Sequence, residues 1–177
     1  MSTYLEEIKT SMDFLAKDPK TIFLGYNVRC GYKGGKTLTN VNEQQLIETP
    51  VAEGLMMSMA VGLSIAGFKP VVYFERYDFI LNAVDAIVNH LDKIQVMSKN
   101  QYKPKVIIRV VEGNKNNPLF TGITHTSNYT EAFKNMVNFP VVELSTKSNI
   151  QLAYKDAYNS NSSYMIIEKK DLYNENI

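Results

Sequence analysis

The stretch ETPVAEGLMMSMAVGLSIAGFKPVVYF, residues 48–74, carries the pattern that decides the fold. Its middle part, from Val51 to Ala66, consists almost entirely of small and apolar residues, and we predict a buried helix over it. The stretch then runs into KPVVYFE (Lys69–Glu75), whose β-branched and aromatic residues predict a buried strand. A buried helix that leads into a buried strand is the repeating unit of a parallel sheet, which needs helical cover on both faces.

The rest of the chain repeats this alternation. Further apolar runs predict strands at Thr21–Gly25, Lys105–Val111, Val141–Leu144 and Ser163–Glu168. Apolar residues at helical spacing predict helices over Ser2–Lys17, Phe79–Met97, Thr130–Val137 and Asn149–Asn159. Glycine-rich residues 28–41 predict a loop, and residues 112–128 predict a long polar loop of the kind that often carries function. The fold class that we predict is α/β, a parallel sheet with helices on both faces.

Composition narrows the classes of function. The chain has 177 residues, enough for one domain with a sizeable core, and a net charge of +1. This balance gives no reason to expect a nucleic acid or an anionic membrane as partner. The longest apolar stretch, Leu55–Phe68, is too short and too polar to span a bilayer. With one cysteine, Cys30, and no secretory signal at the start, we expect a cytoplasmic protein.

Glu53 is the one acid at the head of the apolar helix. We expect Thr49 to be the N-cap and Pro50 to occupy the first helical position, so a capping box would need its acid at Ala52. Glu53 stands one residue too late for that role. A favourable interaction with the helix dipole is the remaining structural explanation. A buried carboxyl group is costly unless it is paired, and burial favours its neutral form, which makes Glu53 a candidate for proton transfer.

The other chemical signals are weaker. CGYKGGKT, residues 30–37, resembles a phosphate-binding loop, but that motif needs a glycine where Cys30 stands, so we interpret it as a flexible loop. Two histidines and one cysteine provide too few ligands for a Cys/His metal site, and we predict no metal site. We interpret His90 as a structural residue within a helix. His125 lies in the long polar loop and is either an inert surface residue or a proton donor and acceptor.

Several segments in order and spacing resemble one known family. They are AKDPKTIFLGYNV, the opening stretch, YDFILNAVDAIVNHLDK, TGITHTSNYTEAF and VVELST. Together they resemble the pyrimidine-binding domain of the β subunit of thiamine-diphosphate-dependent 2-oxo-acid dehydrogenases, a domain shared with transketolases. The resemblance covers nearly the whole chain. It implies a pyrimidine-binding domain over residues 1–170, followed by a polar C-terminal tail over residues 171–177 that we expect to fray.

The resemblance also assigns roles to single residues. Glu53 would exchange a proton with a ring nitrogen of the cofactor's aminopyrimidine, and Phe79 would lie against that ring. Tyr77 and Phe74 are further candidates for the same wall of the cofactor site, with core packing as the alternative. His125 would face the reacting carbon or an acyl acceptor. These roles imply carbanion (ylide) chemistry next to a carbonyl group, with thiamine diphosphate as the cofactor.

The chain departs from the family pattern in ways that matter for function. Two acids usually follow the first strand, whereas Tyr26 and Asn27 stand here, and Glu75 and Arg76 make the site wall more polar than is usual. No Gly-Asp-Gly segment with a downstream Asn is present to hold magnesium and the diphosphate. We therefore expect a partner subunit resembling a 2-oxo-acid dehydrogenase α subunit or the N-terminal half of a transketolase, in a heterotetramer. The partner would hold most of the magnesium site.

The residues leave the reaction open. We expect a pyrimidine-binding subunit that acts on a 2-oxo acid or a ketose, as the dehydrogenase β subunits do. A transketolase-like subunit that transfers two carbons and a simple 2-oxo-acid decarboxylase are alternatives from the same class. A non-catalytic homologue that serves as a scaffold or regulatory subunit is the alternative from another class.

Overall fold

The computed structural model describes residues 2–116, 122–146 and 148–177, and the centre of the predicted 112–128 loop lies outside them. Within this part of the chain, six strands form one parallel sheet in the order β2-β1-β3-β4-β6-β5. The strands are β1 (Thr21–Gly25), β2 (Leu46–Glu48), β3 (Lys69–Phe74), β4 (Ile107–Glu112), β5 (Val141–Glu143) and β6 (Tyr164–Lys169). The predicted α/β class with a parallel sheet is confirmed.

Helices cover both faces of this sheet. The α-helices are α1 (Tyr4–Leu15), α2 (Glu53–Ile65), α3 (Ile94–Met97), α4 (Thr130–Met136) and α5 (Ile150–Asn159). Helices α1 and α5 pack on one face, whereas α2 and α4 pack on the other. Successive side chains of a strand point to opposite faces of the sheet and so contribute to both cores. In β3, Val71 and Tyr73 join the α1–α5 core, and Val72 and Phe74 join the α2–α4 core. The α2–α4 layer is the one that positions the site.

The start of α2 differs from the prediction. The helix begins at Glu53 with Ala52 as its N-cap, and no side chain caps it, so the prediction of Thr49 and Pro50 as cap and first residue is wrong. Thr49 is instead bound to the sheet, because its backbone N–H donates to the carbonyl of Gly25 at the end of β1 over 3.0 Å. The chain therefore stays extended past Pro50 and turns into the helix only at Ala52.

The predicted helix over residues 79–97 is real but irregular. It consists of a 3-10 helix (Tyr77–Ala83), a turn of π-helix (Ala86–Leu91) and the short α3. Apolar spacing does not separate these closely related winding patterns, which explains why a continuous α-helix was predicted. β2 was not predicted, because it is a three-residue edge strand with no apolar run of its own. None of the helices in the described ranges is long and apolar enough to cross a membrane.

The two ends of the chain meet. Thr3 pairs with Asn176 in an isolated antiparallel bridge, and the backbone N–H of Ile177 donates to the carbonyl of Ser2 over 3.0 Å. Tyr173 is buried against α1 within what was predicted as a polar tail. The boundary at residue 170 remains a prediction, but these contacts hold residues 171–177 against the first helix.

An ion pair lies entirely inside the α1–α5 core. Arg109 of β4 and Glu168 of β6 are both fully buried, and Arg109 Nε and Nη2 donate to the two carboxylate oxygens over 2.5 and 2.9 Å. Tyr154 and Tyr173 donate their hydroxyl protons to the same carboxylate over 2.5 and 2.9 Å. The carboxylate is thus fully hydrogen-bonded, as a buried charge must be.

Candidate functional site

Two of the predicted site residues, Phe79 and His125, lie at the carboxyl ends of the central strands, together with Tyr26. Tyr26 follows β1, the 3-10 helix follows β3 after Arg76, and His125 lies in the loop after β4. The chain leaves β1 towards β2 and leaves β3 in the opposite direction towards β4, so the winding reverses between these two neighbours. In open parallel sheets, ligands bind outside the carboxyl ends at such a switch point.

Glu53 is the first residue of α2, and 4% of its surface is exposed. Its carboxylate accepts a hydrogen bond from Asn82 Nδ2, at the end of the 3-10 helix, over 3.3 Å. Its carboxyl group also lies in the first turn, at the positive end of the helix dipole. One long hydrogen bond from an amide is modest compensation for a buried carboxyl group, and it leaves the group able to take a further polar partner.

Tyr26 lies beside Glu53 and was not predicted as a site residue. Burial, followed by the nearby carboxylates of Glu53 and Glu75, raises the pKa of the Tyr26 phenol well above its ordinary range. The hydroxyl is buried near the backbone N–H of Glu75 but makes no hydrogen bond of normal geometry to a described residue. Tyr26 therefore stays protonated, with a buried hydroxyl group near both carboxylates.

Phe79 and His125 follow Tyr26 along this edge of the sheet, and we call Glu53, Tyr26, Phe79 and His125 the row of site residues. The Phe79 ring lies 6.5 Å from the Tyr26 ring and 5.0 Å from the His125 ring, the latter edge to face at 88°. Both Phe79 and His125 are half-buried, so each keeps an accessible edge. The structure thus places Phe79 between the rings of Tyr26 and His125 in distance, with Glu53 near Tyr26, and the roles that the resemblance gave to Glu53, Phe79 and His125 stay predictions.

Gly113, the residue after β4, sets the position of His125. A Cβ atom at Gly113 would lie 1.7 Å from the carbonyl oxygen of His125, so only glycine lets the loop pass this close. His125 Nδ1 lies 3.1 Å from the Thr124 hydroxyl. The sequence signal for Gly113 was its place directly after a central strand, at the start of the long loop.

Phe74 and Tyr77 lie in the α2–α4 core rather than at the open edge. Both are fully buried. The Tyr77 ring stacks on Phe133 at 6.1 Å and meets Tyr129 edge to face at 5.7 Å. These contacts are those of packing residues, and their suggested place in the cofactor wall stays a prediction without support from the contacts.

The carboxylates near β1 are arranged differently from the family pattern. Glu48, at the end of β2, accepts backbone N–H groups of Asn27 and Arg29 over 2.6 and 2.7 Å. Glu75 accepts the Asn27 side-chain amide over 2.8 Å. The acids at this edge of the sheet therefore come from β2 and from the residue after β3, and Asn27 joins them.

Two other sequence signals lie away from this row. His90 is exposed at the end of the π-helical turn, with Nε2 3.7 Å from the Asp85 carboxylate. Residues 30–37 form turns, and no helix follows them directly. Among the described residues, no three His, Cys, Asp or Glu side chains are grouped as a metal site would need.

The chain is similar to curated enzyme subunits over almost its whole length. It is 25% identical over 178 residues to the 2-oxoisovalerate dehydrogenase subunit beta of Bacillus subtilis, with 97% of this chain and 53% of that protein covered. It is 25% identical over 177 residues to the pyruvate dehydrogenase E1 component subunit beta of Rickettsia conorii, with the same coverage of 97% and 53%. The chain thus spans about half the length of these relatives.

A solved structure and a family match agree with this similarity. The solved structure is described as a split gene transketolase, inactive beta4 tetramer; it superposes with a TM-score of 0.73 at 17% identity, over 93% of this chain and 50% of that one. That likeness shows the same fold. The family described as "Transketolase, pyrimidine binding domain" matches residues 8–176. With the match spanning both cores and the whole row from Glu53 to His125, this chain belongs to the transketolase pyrimidine-binding domain family.

Proposed function

We propose that this chain is the pyrimidine-binding subunit of a split thiamine-diphosphate-dependent enzyme that acts on a 2-oxo acid or a ketose. The observation that carries the proposal is the buried Glu53 carboxyl group, in a row with Phe79 and His125 at the switch point of the sheet. A buried carboxyl group at a helix start, with an aromatic ring and a histidine further along the same edge of the sheet, is an arrangement that proton transfer can use.

The residues present fit the family's cofactor, thiamine diphosphate. Glu53 has one long hydrogen bond, to Asn82, and can take a ring nitrogen of the aminopyrimidine as a further partner. The half-buried ring of Phe79 offers an apolar face to the flat heterocycle. When bound, the cofactor supplies the carbon nucleophile that adds to the substrate carbonyl and takes up the electrons of the broken bond.

The chain's own residues place protons around that chemistry. Glu53 holds a proton at the pyrimidine nitrogen and thereby sets the protonation of the ring. Tyr26 remains a neutral donor beside Glu53, and Asn82 orients the carboxyl group. His125 lies against the Phe79 ring, where it can give or accept a proton at the substrate oxygen.

We further propose that a partner subunit completes the site in a heterotetramer and holds most of the magnesium and diphosphate. Along α2, four exposed residues at helical spacing form what we call the α2 stripe, made of Leu55, Ser58, Gly62 and Ile65. Leu55 and Ile65 expose apolar surface, and the small residues Ser58 and Gly62 permit close approach, which favours a docking surface for that partner. The free and exposed Cys30 fits the cytoplasm, the compartment that we propose.

The Glu53→Gln variant tests the proposal. Glutamine keeps the shape and the hydrogen bond but cannot exchange the proton, so we expect an unchanged fold and deuterium exchange at the thiazolium carbon slower by roughly 10²–10⁴-fold in the complete complex. Glu131→Gln, at a carboxylate that is 81% exposed, is the matched control and should exchange like wild type. A wild-type exchange rate in Glu53→Gln would contradict the assignment.

A further inference from the structure

Arg76 is a buried cation that the roles above do not use. The residue follows β3 directly, is 6% exposed, and donates from Nη1 to the carbonyl oxygen of Glu75 over 2.6 Å. The Glu75 carboxylate lies 3.8 Å from Nη1, too far for a hydrogen bond, and already accepts the amide of Asn27. A buried guanidinium group costs free energy unless hydrogen bonds and a counter-charge compensate it. Among the described residues, this compensation is incomplete for Arg76.

The guanidinium group borders a cavity beside His125. The cavity has a volume of about 270 Å³, and its lining includes Arg76, His125, Lys170, Asp171 and Asn174. Because the His125 ring also meets the Phe79 ring, the cavity adjoins the row of site residues at His125. Its size is close to the lower end of the about 300–1,000 Å³ range of small-molecule sites.

The residues that line the cavity carry a net positive charge, which favours an anion. Arg76 and Lys170 are cationic and Asp171 is anionic, whereas the Glu75 carboxylate, 3.8 Å from Arg76 Nη1, is not part of the lining. Lys170 is held in place, since its Nζ donates to the Tyr32 hydroxyl over 3.0 Å and lies 4.4 Å from the centre of the Tyr173 ring. A planar guanidinium group matches the paired oxygens of a carboxylate or a phosphate, and among the described residues Arg76 donates one hydrogen bond, from Nη1.

We propose that this cavity binds a second anionic group of the substrate, a carboxylate or a phosphate, with Arg76 as its main ligand. The substrate would then be a 2-oxo dicarboxylic acid or a sugar phosphate rather than a simple 2-oxo monocarboxylic acid. Its anionic end would lie beyond His125, while its carbonyl group would lie on the Phe79 side. The assignment of the bound anion to a substrate rests on the proposed function, whereas the anion site itself does not.

Calorimetry on the full chain tests the site. Inorganic phosphate and malonate are titrated separately at constant ionic strength, with uncharged malonamide as the ligand control. We expect Arg76→Gln to bind the anion at least about ten-fold more weakly, because a charge-assisted hydrogen-bond pair is removed. Arg29→Gln removes the same charge from a residue whose side chain is 57% exposed, and it should bind like wild type.

Each outcome decides the matter. Binding of phosphate alone supports a phosphorylated substrate, and binding of malonate alone supports a dicarboxylic acid. No binding of either anion to wild type, or equal binding by Arg76→Gln and wild type, overturns the proposal. A thermal melt checks each variant's fold, and if Arg76→Gln does not fold, Arg76→Lys and Lys170→Gln replace it, both with weakened binding expected. No thiamine diphosphate is present, so failure here leaves the Glu53 assignment standing, and failure of the exchange test leaves the anion site standing.

Discussion

At the scale of single residues, the site depends on small residues that let backbone segments lie close together, as well as on its polar side chains. Glu53 and His125 are placed by neighbours with no chemistry of their own. Ala52, the N-cap of α2, has no capping side chain, and Glu53 is the acid of the first turn. Gly113 lets the loop after β4 bring His125 against Phe79. Substitutions at such positions should change the site while leaving both cores unchanged.

Gly113→Ala tests this dependence. The added methyl group would lie 1.7 Å from the His125 carbonyl oxygen, so the loop must shift and the ring must leave the Phe79 edge. We expect the ring-proton chemical shifts of His125 to move towards those of an exposed histidine, with the unfolding transition nearly unchanged. Gly31→Ala, where a Cβ atom meets nothing within 4 Å, is the control. Unmoved His125 signals in Gly113→Ala would show that the loop adapts without displacing the ring.

At the scale of elements, α2 joins the site to the outer surface. Its inner side, with Met56, Met57 and Ala60, is fully buried in the core, whereas the α2 stripe is exposed. A helix that is apolar on nearly all sides should be covered on nearly all sides. This domain's own elements leave the α2 stripe open, and that is why we assign the partner to it.

A charge on the α2 stripe should block assembly. In Leu55→Asp and Ile65→Asp, at residues that are 47% and 44% exposed, we expect the chain to fold normally and to lose co-purification with its partner. Val96→Asp adds the same charge at an apolar residue that is 80% exposed on α3, and it should not affect assembly. Sedimentation of the co-expressed chains measures the result. Stable assembly of both stripe variants would place the partner elsewhere.

The elements also show what a single sequence can reveal. Thr21–Gly25 was predicted at its observed bounds because a fully buried strand is a plain run of apolar residues. The Thr49 cap was predicted wrongly because a pairing with β1, more than twenty residues away, overrides the local preference. Glu53 and His125 were predicted as candidates from their places in the chain, and the family resemblance added Phe79 and the role of each residue. Tyr26 and Arg76 depend on which groups the fold brings beside them, which the chain order does not disclose.

At the scale of the whole molecule, the Arg109–Glu168 pair links the middle of the sheet to the end of the chain. The residues that form this hydrogen-bond network come from β4, β6, α5 and the segment that contains Tyr173. A buried ion pair contributes little net stability compared with apolar packing, but removal of one member leaves the other charge buried and unpaired. The network therefore makes these four elements dependent on one another.

Glu168→Gln should expose that dependence. It leaves the fully buried Arg109 guanidinium without its counter-charge, and we expect the free energy of unfolding to fall by roughly 3–5 kcal/mol. Urea unfolding measures the change, with Glu131→Gln, whose partner Lys134 is at the surface, expected to cost less than about 1 kcal/mol. A loss as small as that of the control would mean that the pair is dispensable.

The same network should make the fold sensitive to alkali. Burial, followed by the charge of Glu168, raises the pKa of the Tyr154 and Tyr173 phenols well above their ordinary value. Above about pH 10 the unfolded chain releases these protons and the folded chain keeps them, so the free energy of unfolding falls as pH rises. Urea unfolding between about pH 8 and about pH 11 should show this fall in the free energy of unfolding. The fall should be smaller in Tyr154→Phe.

Tyr102→Phe, at a tyrosine that is 48% exposed, should leave the pH dependence as in wild type. Equal slopes in Tyr154→Phe and wild type would mean that the alkaline loss arises elsewhere.

The meeting of the two chain ends, from Ser2 to Ile177, makes the backbone nearly a closed ring. A short linker could join these ends, and new ends could be opened in the exposed turn around Lys99 and Asn100, far along the chain from the site row. Such a circular permutant would carry the same sheet, the same two cores and the same edge of site residues. The candidate site would then depend on the contacts between the strands and not on the order in which the strands are synthesised.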